Sequence, residues 1–344
     1  MGEGHRSVAD VHAHWFPAQL ADRSRTTGDP RWPILLVDDE RSPARGRIML
    51  GDTTFRNVRA PLWDLDSRIA ELDAADVELQ VISPVPVMLT YWADPAAALG
   101  FARDVNDALA AEVAASDGRL AGLGTVPLQD VGLAVRELER LMGELGLSGV
   151  EIGTRVGDRE LDDPGLAPFF DAVEGLDAAV FVHPLGGGGG AIRRGGQPYD
   201  LGLGMLTDTA LAATSLVCGG VLETRPGLRI ALAHGCGTFV WAAPRLKWAT
   251  VLTAAPELRD RFDDLVARLW VDNLVLDPEH LRLLVHRFGA RHVMVGTDFP
   301  FFDGLLEGAY DLVAAAEAQG ILTGGQAKRM LYANVLDFLG LAGP

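Results

Sequence analysis

Eight short apolar runs rich in β-branched residues recur along this chain, at 7–12, 77–83, 120–126, 149–153, 178–183, 229–234, 269–272 and 292–297, most followed by an alanine- and leucine-rich segment of helical period. Strands alternating with helices form βαβ units, whose right-handed crossovers build a parallel sheet. Eight such units close naturally into a (β/α)8 TIM barrel of the α/β class, and 344 residues suffice for one domain spanning 1–344. Segments 96–116 and 133–145 read as helices, with apolar residues at i, i+3 and i+4 and with Gly118 and Gly146 at their ends. Residues 22–59 fit no helix. The pieces Ile34-Leu35-Leu36-Val37 and Arg47-Ile48-Met49-Leu50 instead suggest a strand-and-loop insertion at 22–60, expected to line the pocket.

Charge narrows the partners. A net charge of −17 argues against nucleic acid or an anionic membrane, since both require a basic field, and an anionic substrate would need specific arginines to hold it. No secretory pattern is readable, and no uninterrupted apolar stretch reaches the ~18 residues that span a bilayer. Met1-Gly2 suits a myristoylation start, but Arg6 stands where that motif wants Ser or Thr. With only Cys218 and Cys236 there is no disulfide framework, so a cytoplasmic address is expected.

The chemistry gathers at strand ends. His12 and His14 sit two apart on the first strand, so both imidazoles project to one face and can reach one point. His183 and His234 close two later runs, and Asp298 follows the last. In a parallel barrel these ends meet on the face where active sites form. His12, His14, His183 and Asp298 thus supply three neutral donors and one carboxylate, a set for a divalent ion with net charge near +1, able to acidify a bound water toward a pKa of about 7. As an alternative, Asp298 would cap a following helix. His234 has three readings: a further ligand, a general acid/base, or a core histidine. The flanking Gly235-Cys236-Gly237 suggests open space beside its ring and favours contact with substrate or water.

Five consecutive glycines, Gly186 to Gly190, follow His183-Pro184-Leu185 and precede Arg193-Arg194. They read either as a loose surface connection or as a mobile lid over the site spanning 186–196. A phosphate cradle is disfavoured because 197–204 opens no convincing helix. There is no dinucleotide fingerprint and no P-loop, so no organic cofactor is expected.

Taken together, the His-x-His, the His-Pro after the fifth strand, the Ala-His-Gly after the sixth and the Gly-Thr-Asp-Phe-Pro after the eighth resemble the amidohydrolase superfamily. The branch is the one that contains 2-amino-3-carboxymuconate-6-semialdehyde decarboxylase and the non-oxidative hydroxybenzoate decarboxylases. Phe55-Arg56-Asn57-Val58, Leu62-Trp63-Asp64, Val85-Pro86-Val87-Met88 and Val126-Pro127-Leu128-Gln129 extend the resemblance over most of the chain. It implies zinc, or another divalent metal such as manganese, on His12, His14, His183 and Asp298, with His234 as acid/base beside Asp298. It also implies Arg56 as a carboxylate anchor and Arg245 reaching the partner's site in a homodimer. The loop after His183 departs from the family pattern, which leaves the identity of the substrate open.

The expected activity is a metal-dependent, non-oxidative decarboxylase of a small unsaturated or aromatic carboxylate. Two other functions use the same residues: hydrolysis of a cyclic amide, lactone or ester, and a barrel that binds metal and ligand without turnover.

Overall fold

A computed structural model of the protein describes residues 7–38, 44–253 and 255–341. Met1, Gly2 and Arg6 of the myristoylation reading lie outside them, as do residues 39–43 of the 22–60 segment. Thirteen strands appear in chain order among the described residues: β1 (Val8–Trp15), β2 (Pro33–Val37), β3 (Arg45–Leu50), β4 (Thr53–Arg59), β5 (Val77–Pro84), β6 (Leu120–Gly124), β7 (Gly149–Gly153), β8 (Arg155–Val156), β9 (Arg159–Glu160), β10 (Ala179–His183), β11 (Arg229–Leu232), β12 (Trp270–Asp272) and β13 (Val293–Met294). Eight form one parallel sheet in the order β1-β5-β6-β7-β10-β11-β12-β13. The chain after β13 returns to β1 through bridges at Asp10–Val295 and Ala13–Phe299, with the amides of Val11 and His14 donating to the carbonyls of Val295 and Phe299 at 2.8 and 2.7 Å. Each of the eight predicted runs overlaps one barrel strand, with β1 and β5 running on past their predicted ends to Trp15 and Pro84.

Side chains divide between two cores. Ala9, Val11, Leu79, Val81, Leu123, Phe181, Ala231 and Met294 fill the barrel interior above the C-terminal helix Asn334–Leu339, while Val8, Ala13 and Trp15 pack toward the outer helices. The parity change along β1 comes from a bulge between Asp10 and Ala13. It is this bulge that brings His12 and His14 into the barrel mouth after Ala9 and Val11 have faced the interior below.

The helices begin at their caps. Asp94 accepts the amides of Ala96 and Ala97 to start Pro95–Ala115, and Asp130 accepts that of Leu133 to start Val131–Gly143, two residues before the predicted onset. Residues 22–59 hold a helix after all, the short Arg23–Thr27 capped by Asp22. They also hold a three-stranded antiparallel sheet, β2-β3-β4.

A further difference concerns 197–204. Asp200–Gly204 forms a wide helical turn that runs directly into Met205–Cys218, because Gly204 lets the backbone approach the carbonyl of Gly187, where a Cβ would lie 2.4 Å from the oxygen. The joined helix Asp200–Cys218 is long and apolar enough to cross a membrane by length and composition alone, although Asp200, Asp208 and its Thr and Ser residues interrupt the apolar run. Its Ala212, Ala213, Leu216 and Val217 are buried in the core that the outer helices share with the barrel.

Candidate metal centre

Ligand atoms of His12, His14, His183 and Asp298 lie within 4.8 Å of one another, all four residues buried. The Nε2 atoms of His12 and His14 stand 3.6 and 3.0 Å from Asp298 Oδ1. His12, His14 and His183 each leave Nε2 without a hydrogen-bond partner, as does Asp298 at Oδ1. Buried polar atoms are seldom left so, and four converging on one point are what a divalent cation would satisfy. Asp298 is held at φ 57°, a left-handed conformation rare for aspartate. It does not cap a helix: the next one begins at Leu305 behind Gly304.

Outer contacts orient the rings. His12 Nδ1 bonds Asp272 Oδ2 at 2.7 Å, and His183 Nδ1 bonds the carbonyl of Pro184 at 2.8 Å. Each bond places the proton on Nδ1 and turns the Nε2 lone pair toward the centre. Asp272 also accepts the backbone N–H of His234 and of Gly235, both at 2.8 Å, and that of Leu274 at 3.1 Å. His14 Nδ1 faces Glu151 Oε2 at 3.9 Å, and Ser83 donates to that same oxygen at 2.5 Å.

Burial and carboxylates pull the charges in opposite directions. At His12 burial disfavours the imidazolium, but the Asp272 bond and the nearby Asp298 charge outweigh it and raise its pKa to about 9. At His14 burial prevails and lowers it to about 4. His183 is held well below the usual histidine range by burial and by the adjacent imidazoles. Burial would raise Asp298, yet His14, His234 and His12 hold it well below the usual carboxylate range. Glu151, enclosed in the barrel, is pushed up to about 8 by desolvation despite its bond from Ser83.

His234 follows β11 in a tight turn in which His234, Gly235, Cys236 and Gly237 all have positive φ. The glycines do not open space beside the ring, as the sequence suggested. A Cβ on Gly235 would stand 2.4 Å from Val275, so glycine is required there for close packing behind the turn. The ring itself is nearly buried with neither nitrogen bonded, and its Nε2 lies 4.0 Å from Asp298 Oδ2.

Arg56, on β4, stacks its guanidinium 4.0 Å from the Phe301 ring centroid, and Phe301 in turn lies 5.2 Å from the His14 ring. The guanidinium makes no hydrogen bond or ion pair among the described residues. Burial lowers its pKa while Asp298 opposes the shift. Arg245 is exposed on helix Phe239–Ala249, which also displays Trp241 and Trp248, 84% and 60% exposed. After His183, Gly186, Gly187, Gly188 and Gly190 all take positive φ. A Cβ on Gly188 would meet the carbonyl carbon of Gly204 at 2.1 Å, and Arg155 donates to the carbonyl of Gly189 at 2.8 Å. The glycines thus form a packed turn against the start of the next helix.

Sequence reasoning singled out the four residues that cluster here and missed the groups behind them: Asp272, Glu151, Asp10, Gln80 and Arg68. The available signal was an ionisable or amide residue in each of four barrel strands or the helix beside them, where apolar residues prevail.

A parallel β/α barrel with a buried His3Asp cluster at the strand ends defines a barrel scaffold with a metal site, and the chain belongs to the amidohydrolase family, whose model matches residues 9–341. Within it, the chain is 35% identical over 342 residues to 2-amino-3-carboxymuconate-6-semialdehyde decarboxylase of Dictyostelium discoideum, covering 96% of this chain and 91% of that protein. It is 30% identical to the Caenorhabditis elegans protein of the same name, covering 87% and 86%. The fold also superposes with a TM-score of 0.76, at 19% identity and over 99% and 98% of the two chains, on 5-carboxyvanillate decarboxylase of Novosphingobium aromaticivorans, solved with manganese and 4-hydroxy-3-methoxy-5-nitrobenzoic acid.

Proposed function

We propose that this protein is a metal-dependent, non-oxidative decarboxylase of a small unsaturated or aromatic carboxylate similar to 2-amino-3-carboxymuconate-6-semialdehyde. The observation that carries the reading is the pairing of an unbonded, nearly buried His234 with the four-ligand cluster, in a chain whose relatives are decarboxylases. His12, His14, His183 and Asp298 would hold zinc or manganese, whose Lewis acidity draws electron density from the conjugated system as CO2 leaves. Arg56 holds a substrate carboxylate through paired N–H donors that have no hydrogen-bond or ion-pair partner among the described residues. When the carbon–carbon bond breaks, CO2 departs and the electron pair stays on carbon. His234 delivers the proton that carbon then takes, and Asp298 steadies the imidazolium beside it. No organic cofactor takes part.

The substrate pocket in this reading is lined by the 22–60 insertion of a single domain spanning 1–344, with 186–196 closing over it. Arg245 serves the partner's site in a homodimer, and the exposed Trp241 and Trp248 on its helix support an interface there. The free thiols of Cys218 and Cys236 suit a cytoplasmic address. The test is incubation of zinc- or manganese-loaded protein with muconate semialdehydes, hydroxybenzoates, lactones and cyclic amides, measuring CO2 and absorbance. CO2 release from a carboxylate supports the reading; hydrolysis of lactones or amides with no CO2 from any carboxylate overturns it.

A further inference from the structure

We infer that Arg68, outside the ligand cluster, is a positioning residue for the metal centre, acting through a buried hydrogen-bond relay on the backbone that carries His12, His14 and Asp298. The inference rests on the metal reading above. Arg68 belongs to helix Leu65–Ala74 and is fully buried. Its Nη2 donates to the carbonyl of His14 at 2.6 Å, and its Nη1 donates to Gln80 Oε1 at 2.5 Å. Gln80 passes the connection on, with Nε2 donating to Asp10 Oδ2 at 2.8 Å. Asp10 gathers the backbone N–H of His12 at 3.0 Å, the N–H of Thr297 at 3.1 Å and the Thr297 hydroxyl at 2.6 Å.

The relay therefore grips the peptide groups of His12 and His14 and the residue before Asp298. The guanidinium also lies 5.2 Å from the ring of Phe299, the residue after Asp298. It spans β5, β1 and the segment following β13, across the seam where the barrel closes by two bridges.

Stability alone does not explain this arrangement. Arg68 has no carboxylate in direct contact among the described residues, and its Nε has no partner. A guanidinium removed from water on those terms is costly, and a well-packed apolar side chain of similar volume is often neutral or stabilising. What an apolar residue cannot do is hold a backbone carbonyl and an amide side chain in fixed register. Ligand atoms must be placed within a few tenths of an ångström for tight coordination, and partners behind the ligands typically govern 10–100-fold of metal affinity.

The experiment measures zinc affinity by chelator competition and records the visible spectrum of the cobalt-substituted protein. The chains are wild type, Arg68→Met, Gln80→Met, Thr297→Val and a control, Val173→Ala, which opens a cavity in helix Ala167–Gly175 away from the relay. Arg68→Met is expected to weaken zinc binding about 10–100-fold with an altered cobalt spectrum. Thr297→Val, which deletes one bond to Asp10 at nearly constant shape, should weaken it roughly 2–10-fold. Val173→Ala should lower the melting temperature and leave affinity and spectrum unchanged. Should Arg68→Met fail to fold, Gln80→Met and Thr297→Val decide. A wild type that binds neither metal removes the metal reading itself. A wild type that binds, with relay variants within twofold of it or no weaker than Val173→Ala, overturns the role of Arg68.

Discussion

Replacing Asp272 by asparagine perturbs one buried side chain and two functional groups at once. The carboxylate uses Oδ2 for His12 Nδ1 and the His234 amide, and Oδ1 for the amides of Gly235 and Leu274. All four partners present N–H. An asparagine has one oxygen, so its NH2 must face one of the two pairs of donors. If it faces Gly235 and Leu274, both amides lose their acceptor, at roughly 1–3 kcal/mol for the buried Gly235 amide and about 1 kcal/mol for the half-buried Leu274 amide. If it faces His12 and His234, the His234 amide loses its acceptor, the imidazole must move its proton to Nε2 so that Nδ1 can accept, and the lone pair that points at Asp298 disappears. The first arrangement appears as lost stability and a loosened His234 turn, the second as lost metal affinity. Asp272→Asn should therefore show a stability loss of roughly 2–4 kcal/mol, or about 10–100-fold weaker zinc binding, or a mixture of both. Urea unfolding of chelator-treated protein reads the first, and chelator competition reads the second. A variant with the wild-type urea midpoint and the wild-type zinc affinity would refute the reasoning.

Three further outcomes are expected. His234→Ala should keep about one metal ion per chain by elemental analysis while turnover falls roughly 10²–10⁴-fold; metal loss as complete as in His183→Ala would make His234 a ligand instead. Glu151, raised by burial from 4.5 to about 8, favours folding only while protonated, so stability is lost as pH climbs from 4.5 to 8. Glu151→Gln in chelator-stripped protein should accordingly match wild type near pH 4 and exceed it at pH 9 by an amount on the order of a few kcal/mol; parallel pH profiles in urea would contradict this. Mixing Arg245→Ala chains with His234→Ala chains, each inactive alone, should restore part of the activity if the arginine crosses a dimer interface. No recovery after verified subunit exchange would count against it.

The barrel was legible because strands buried on both faces read as unbroken apolar runs, and the four-residue cluster because histidine and aspartate are conspicuous where such runs end. The misreadings have local causes. β4 went unseen because most of its side chains are exposed or half-exposed and Val58 alone is buried, so no apolar alternation marks it. The helix Arg23–Thr27 has five polar residues and none buried. The last run is paired as a strand only at Val293 and Met294, since residues from Val295 onward leave β12 and turn to β1. Gly202 and Gly204 look like breakers yet stand inside a helical turn; at Gly204 the reason lies in Gly187, seventeen residues upstream, whose carbonyl a Cβ would meet. Asp272 and Glu151 escaped because their partners, His12 and His14, lie far away in the chain, where spacing carries no information about contact.

The seam between β1 and the segment after β13 sets an order of events for a chain made from its N-terminus. His12 and His14 are synthesised well before Asp298 and before the amide of Thr297 that reaches back to Asp10; Asp298 follows 284 residues after His14. A nascent chain stalled before that point has no complete set of ligands, whatever metal surrounds it. The chain completes in one closure both its barrel and its set of candidate ligands, and an ion bound there would tie β1 to the segment after β13. Starved of metal, the mature protein should open first at this join, where proteases would find residues 295–304 before they reach any other part of the barrel wall.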